Sequence, residues 1–373
     1  MTEKLQFDEL DNELSDRVKG ISIKLTSLTL DEVQEIIKND DSEKLKANFD
    51  NNRIENINMV VNQTDTLMMY SCTIGSIECF KFLLEHGALT EYIQPDDDED
   101  EFDILLIAVI HQQIEVVNLL LNWYRESGLI SQIESVNSLK HAAMHGYLDI
   151  IRSLVNSSPD QDDCIIGLYS AVCHNQIEVA TYLLDRDVDF NAHFAIVRRM
   201  LNEASYEGNI DIVKLLLTHG IDINTVDKDV ENPLKIAICG GHIDVAEILL
   251  EHGADPNLIH NDNSTILLTI SNSTIYETIN TFKLLLRYGA DVSIAHTTSG
   301  RTPLITAAAL SQRLDFVQLL LEHGADVTQV MNSGETVLDM LNTADSSTYG
   351  DAAIRAAITN LCMEYQDRQH ILK

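Results

Sequence analysis

An all-α fold built from a repeated helical hairpin is predicted by three observations on this 373-residue sequence. One short pattern returns along the chain at a nearly constant step. Four well-matched copies carry two apolar-patterned segments, the second containing Leu-Leu near its end. A glycine, often followed by Ala-Asp, closes most copies. Hydrophobic residues make up 45% of the chain, with only 5 prolines and no long Gly/Ser-rich linker, so a single continuous body is expected.

The copies align readily. "NPLKIAICGGHIDVAEILLEHGADPN" (232–257) matches "RTPLITAAALSQRLDFVQLLLEHGADVT" (301–328), "TLMMYSCTIGSIECFKFLLEHGA" (66–88) and "RMLNEASYEGNIDIVKLLLTHGIDIN" (199–224). Marks at the expected start of each first helix fall at Asp31, Thr66, Asp103, Asn137, Ile166, Arg199, Asn232, Thr265, Thr302 and Thr336, with steps of 35, 37, 34, 29, 33, 33, 33, 37 and 34.

Taken in order, residues 1–28 form an acidic N-terminal extension. Residues 29–49, "TLDEVQEIIKNDDSEKLKANF", read as a polar helix pair opened by a Thr29/Glu32 capping box, a suitable end for a stack. Thr66, Asn232, Thr265 and Thr302 are good N-cap residues. Gly87, Gly220, Gly253, Gly289 and Gly324 follow second helices, where a left-handed cap is wanted. Within the 232 copy, Leu234, Ile236, Ala237 and Ile238 make the first helix apolar, and Ile243, Val245, Ala246, Ile248, Leu249 and Leu250 the second. The 137 copy ends in "NSSPDQDD" without Gly-Ala-Asp, so a short finger and a local change of curvature are expected there. "GETVLDMLNT" (334–343) begins a last copy, and residues 342–373 form the C-terminal capping region with a closing helix over 349–370.

A step near 33 is the ankyrin period. With "NPLKIA" (232–237), "RTPLITAA" (301–308), "GHIDVAEILLEHGADPN" (241–257) and "GNIDIVKLLLTHGIDIN" (208–224), residues 29–341 resemble an ankyrin-repeat stack. The resemblance implies an all-α ankyrin-repeat solenoid with projecting finger loops. The His of that family's T-P-L-H signature is missing: its place holds Met69, Leu106, Lys140, Tyr169, Asn202, Lys235, Leu268 and Ile305.

Candidate binding residues follow from the repeat register. Stacks of this family use the end of the first helix and the fingers as a concave groove. Seven and eight positions after the marks stand Ile110 and His111, Met144 and His145, Cys173 and His174, and Tyr206 and Glu207. Three successive repeats thus carry histidine at one site. Neighbouring repeats stand about 8–10 Å apart, whereas zinc ligands must lie about 2 Å from one ion, so no metal site is expected from that row. A peptide-contact stripe made pH-sensitive by imidazole is the functional reading, polar filling of the turn the plain one. His86, His219, His252 and His323, before the finger glycines, read as structural.

The finger between Gly87 and Asp103 carries four extra residues and holds Asp96, Asp97, Asp98, Glu99, Asp100, Glu101 and Phe102. It is either a solvated loop or a docking site for a Lys/Arg-rich segment; it lacks the alternation and glycine of a calcium loop. Arg198 and Arg301, with Arg199, are placed on the finger side at the starts of first helices, where they could meet an acidic segment.

With 59 acidic and 25 basic residues the net charge is −34, which disfavours nucleic acid and anionic membranes and favours basic partners. No apolar run suits a membrane span, the first 20 residues lack a signal-peptide core, and the six cysteines show no CxxC spacing. The expectation is a cytoplasmic monomer, with nuclear placement or delivery into a host cell as an effector the lesser alternatives. No phosphate loop, G-x-G-x-x-G, nucleophile elbow or H-E-x-x-H occurs, and no cofactor is expected. The function so implied is a non-catalytic protein–protein interaction scaffold. The alternatives are an acidic inhibitor that mimics nucleic acid, and an enzyme using Cys173, His174 and Glu207.

Overall fold

The computed structural model describes residues 28–54, 56–61, 65–88, 103–128, 135–157, 161–186, 193–224, 232–272, 278–343 and 352–372. The acidic run Asp96–Phe102 and the extension before residue 28 therefore lie outside the described residues. Contacts divide the chain into two units, before and after the His193–Phe194 junction.

Among its described residues the first unit holds five helix pairs: α1 (Leu30–Lys38) with α2 (Ser42–Asp50), α3 (Leu67–Ile74) with α4 (Ile77–Glu85), α5 (Ile104–Ile110) with α6 (Ile114–Glu126), α7 (Ser135–His145) with α8 (Leu148–Ser157), and α9 (Gln161–Cys173) with α10 (Ile177–Leu184). The first helices pack in a row, α1 on α3, α3 on α5, α5 on α7 and α7 on α9, and the second helices form a parallel row behind them. The second unit repeats the plan with α11 (Phe194–Glu207), α12 (Ile210–Thr218), α13 (Pro233–Cys239), α14 (Ile243–Glu251), α15 (Ile266–Ser271), α16 (Thr278–Arg287), α17 (Pro303–Ile305), α18 (Leu314–Glu322), α19 (Val337–Thr343) and α20 (Ala352–Leu372). No strand forms among the described residues; Val60 and Thr66 make an isolated antiparallel bridge. Each unit is thus an all-α stack of hairpins.

The repeat sequence explains the packing. Five residues after the marks stand Ser71, Ala108, Ala142, Ala171, Ala204, Ala237 and Ala307, all at 0% exposure. Their small side chains bring one first helix close to the next. From the second helices, Leu83, Leu120, Leu183, Leu216, Leu249, Leu285 and Leu320 are equally buried, each worth roughly 1.5–3 kcal/mol of removed apolar surface. The expected caps form: Thr66, Thr265 and Thr302 accept from the backbone N–H three residues on, at 3.2, 3.3 and 3.2 Å, and Asn232 from Leu234 at 2.8 Å. The capping box is complete, Glu32 donating its N–H to Thr29 Oγ1 and Thr29 its N–H to Glu32 Oε2.

Two features depart from the expected register. Helices α9 and α11 begin at Gln161 and Phe194, five residues ahead of the marks Ile166 and Arg199. Neither mark is a capping residue, so nothing stops the helix from starting earlier, and Asp162 and Asp163 in the first turn of α9 suit the positive end of its dipole. Arg198 and Arg199 consequently lie inside α11, and Arg198 is buried at 5% exposure. The expectation of Arg198 on an exposed finger is corrected.

The other departure is at Thr306–Leu310, a π turn running on from α17. From Thr302 to Phe316 the chain has fourteen steps where Asn232 to Val245 has thirteen. The additional residue is absorbed as a local widening of the helix.

Candidate functional site

The described hairpin turns of the first unit each pass through a left-handed residue, Asp40, Gly75, Gln112, Gly146 and Asn175, with φ of 52, 79, 56, 76 and 55°. The residue after the turn often reaches back to the preceding repeat. Gln113 Nε2 donates to the Thr73 carbonyl at 3.2 Å, and Gln176 Nε2 to the Met144 carbonyl at 3.0 Å. The glycine lies beneath that amide: a Cβ on Gly75 or Gly146 would collide with the side chain of Gln113 or Gln176. The turns that carry the candidate residues are thereby stitched from one repeat to the next.

On this scaffold His111 and His145 are exposed, whereas Ile110, Met144, Cys173 and His174 are half-buried. His174 Nδ1–H donates to the Ser170 carbonyl at 2.9 Å, which fixes its tautomer. Tyr206, 62% exposed, and Glu207 belong to the second unit, so the eight expected groove residues are distributed over two units.

Two further residues join the site that a single offset per repeat does not select. His141 lies one turn before His145 on α7, with ring centres 4.5 Å apart. Tyr147 stacks on His145 at 5.5 Å and 21°, and its hydroxyl accepts from Gln112 Nε2 at 2.9 Å. Burial, with His145 second, pushes the His141 imidazole down to about 4; burial, with His174 second, also lowers His145. Both imidazoles are thereby shifted toward the neutral form. The signal for His141 was its i, i+4 spacing from His145.

In the second unit the fingers are organised by side chains. Asp222, Asp255, Asp291 and Asp326 each accept the backbone N–H two residues on, at 2.8–2.9 Å. That is the role of the Asp in Gly-Ala-Asp. Asn224 Nδ2 donates to the Gly253 carbonyl at 2.8 Å and its Oδ1 accepts from Asp255 N at 2.8 Å; Asn257 repeats this to Gly289 and Asp291 at 3.1 and 2.7 Å. Arg301 is exposed on the finger before Thr302. Ile259 and Val330, each four residues after its finger aspartate, are 47% and 55% exposed and were not singled out by the register argument.

The four histidines before the finger glycines are structural. His86, His219, His252 and His323 donate through Nδ1 to the carbonyl four residues back at 2.7, 2.8, 2.8 and 2.8 Å, closing the second helices. Burial pushes the Cys79 and Cys362 thiols up to about 12 and about 11, so neither is a nucleophile near neutrality. Among the described residues no helix is long and apolar enough to cross a membrane.

Helical hairpins stacked with small inner residues, stitched turns and Asn-linked fingers define a repeat protein that offers an extended surface. Ankyrin repeats match in three copies, over residues 33–131, 198–260 and 253–331, more than half of the sequence. The chain belongs to the ankyrin-repeat family, whose repeats mediate protein–protein interaction. It is similar to an ankyrin repeat protein of fowlpox virus (strain NVSL), 42% identical over 60 residues, 16% of this chain and 10% of that protein. It is also similar to the B-cell lymphoma 3 protein homolog of Mus musculus, 49% identical over 55 residues, 15% of this chain and 12% of that protein. The chain thus matches about a tenth of the length of these curated relatives.

Proposed function

We propose that the chain is a non-catalytic scaffold that binds a partner protein carrying a basic segment. The observation that carries this reading is the row of exposed and half-buried first-helix ends in the first unit, Ile74 at 43% exposure, then Ile110, His111, Met144 and His145. Rings and apolar side chains held on stitched turns suit a preorganised protein contact. The net charge of −34 supports the basic partner, by drawing it in at a rate that falls with salt. The run Asp96–Glu101 is the proposed docking element for that segment, with Phe102 and Arg301 as further finger contacts. Binding as a monomer in the cytoplasm completes the reading. Likeness to a viral repeat protein supports a host-directed form of this role, and likeness to a mouse protein an ordinary cellular one.

The test is affinity capture at low and high salt, comparing the wild type with a variant whose acidic residues 96–101 are changed to Asn or Gln. Partners lost from the variant, and from the wild type at high salt, are expected. Identical captured sets would move the contact away from the acidic run to His111, His145, His174 and Tyr206. Competition of the captured partner by DNA would favour the nucleic-acid-mimic alternative.

A further inference from the structure

We propose that His141 and His145 form a two-histidine site for a borderline transition-metal ion such as Zn2+ or Ni2+. The sequence argument against metal concerned one histidine per repeat, with the rings on different helices. His141 and His145 stand four apart on the single helix α7, so their side chains rise from one face, one turn apart. This is the spacing by which a helix chelates zinc through two imidazoles. With zinc–nitrogen bonds of about 2.1 Å, ring centres 4.5 Å apart are near enough for both imidazoles to reach one ion.

The surroundings favour the same reading. Tyr147, stacked on His145 and held through its hydroxyl by Gln112, limits where that ring can move. A site of two imidazoles leaves further coordination positions to water. Such a site has open positions, the arrangement in which a partner's side chain can become a ligand.

The experiment is calorimetric titration of the full chain, stripped with chelator, with ZnCl2 and with NiCl2 at pH 7.5. Three variants accompany it: His145→Gln, His141→Gln and His323→Gln. The wild type and His323→Gln are expected to bind about one ion per chain in a saturable step. His145→Gln, an exposed change that leaves the fold intact, is expected to weaken that step at least tenfold, and His141→Gln to do the same. The absence of a saturable step in the wild type, or a step unchanged by His145→Gln, would overturn the proposal. Neither result bears on whether the scaffold binds a protein partner.

Discussion

Lys235 Nζ lies 3.2 Å from the Asp262 carboxylate, with the lysine side chain only 9% exposed. Lys235 occupies the first-helix position at which the family signature has histidine, and it reaches forward into the next finger. Asp262 also accepts from Ser264 N and Oγ, at 3.1 and 2.7 Å. One ion pair therefore ties α13 to the finger that precedes α15. Lys235→Ala removes this tie and leaves space in a buried site; a loss of about 1–3 kcal/mol is expected in urea unfolding. Burial alone would raise the Asp262 carboxyl, but Ser264 and Lys235 outweigh it and hold the group below the usual carboxylate range. The contribution is full above the ordinary carboxylate pKa and fades as pH falls through the lowered folded value. The gap between wild type and Lys235→Ala should shrink on acidification below about pH 4.

Gly146 and Gln176 are coupled in a different manner. Gly146 has φ of 76°, and its missing Cβ leaves room for the Gln176 amide that bonds the Met144 carbonyl. Gly146→Ala is expected to cost about 1–3 kcal/mol through backbone strain and the collision, and Gln176→Ala about 1 kcal/mol through the lost bond. The double variant should lose less than the sum, because the collision vanishes with the glutamine. A double-mutant cycle by chemical denaturation reads this directly, and strict additivity would mean that the two side chains do not meet.

His141 gives the first unit a distinct acid response. Its folded pKa of about 4 lies below the ordinary value of 6.5, so between those values the unfolded chain holds the proton and the folded chain does not. Stability from this residue is complete above about pH 6.5 and declines as pH falls toward 4. In chelator-treated protein, the wild-type melting temperature should fall over this interval more steeply than that of His141→Gln. Parallel curves would place the pH dependence elsewhere.

Much of this architecture was legible, for identifiable reasons. Residues whose chemistry acts locally announced themselves: Thr66, Asn232, Thr265 and Thr302 cap the helices they precede, and Gly253 takes the left-handed turn it was expected to take. The period was readable because each hairpin must bury the same face against its neighbour. Helix starts at Ile166 and Arg199 were misplaced because those marks carry no cap, and the register alone does not set a boundary. The site was half legible. A fixed offset found His145 and His174, yet missed His141 and Tyr147, which approach His145 through the helical pitch and across the turn. The hydrogen bonds of Asn224 and Asn257 were hidden because they link fingers 29 to 34 residues apart.

Ile259 and Val330 turn the finger geometry into a functional prediction. Each follows its finger aspartate by four residues, and the two are 47% and 55% exposed, whereas the aspartate-fixed turns beside them are well bonded. Large apolar side chains held at equivalent exposed positions suit contact with a protein partner better than they suit the solvent. Ile259→Ser and Val330→Ser remove little buried surface, so each is expected to change stability by no more than about 0.5 kcal/mol. If the fingers of the second unit take part in binding, the double variant should retain its melting temperature while releasing the captured partner faster, with the association rate nearly unchanged. That split is expected because apolar contacts act on dissociation, whereas the acidic field governs encounter. Surface plasmon resonance at two salt concentrations separates the two effects, and an unaltered dissociation rate would confine the contact to the first unit.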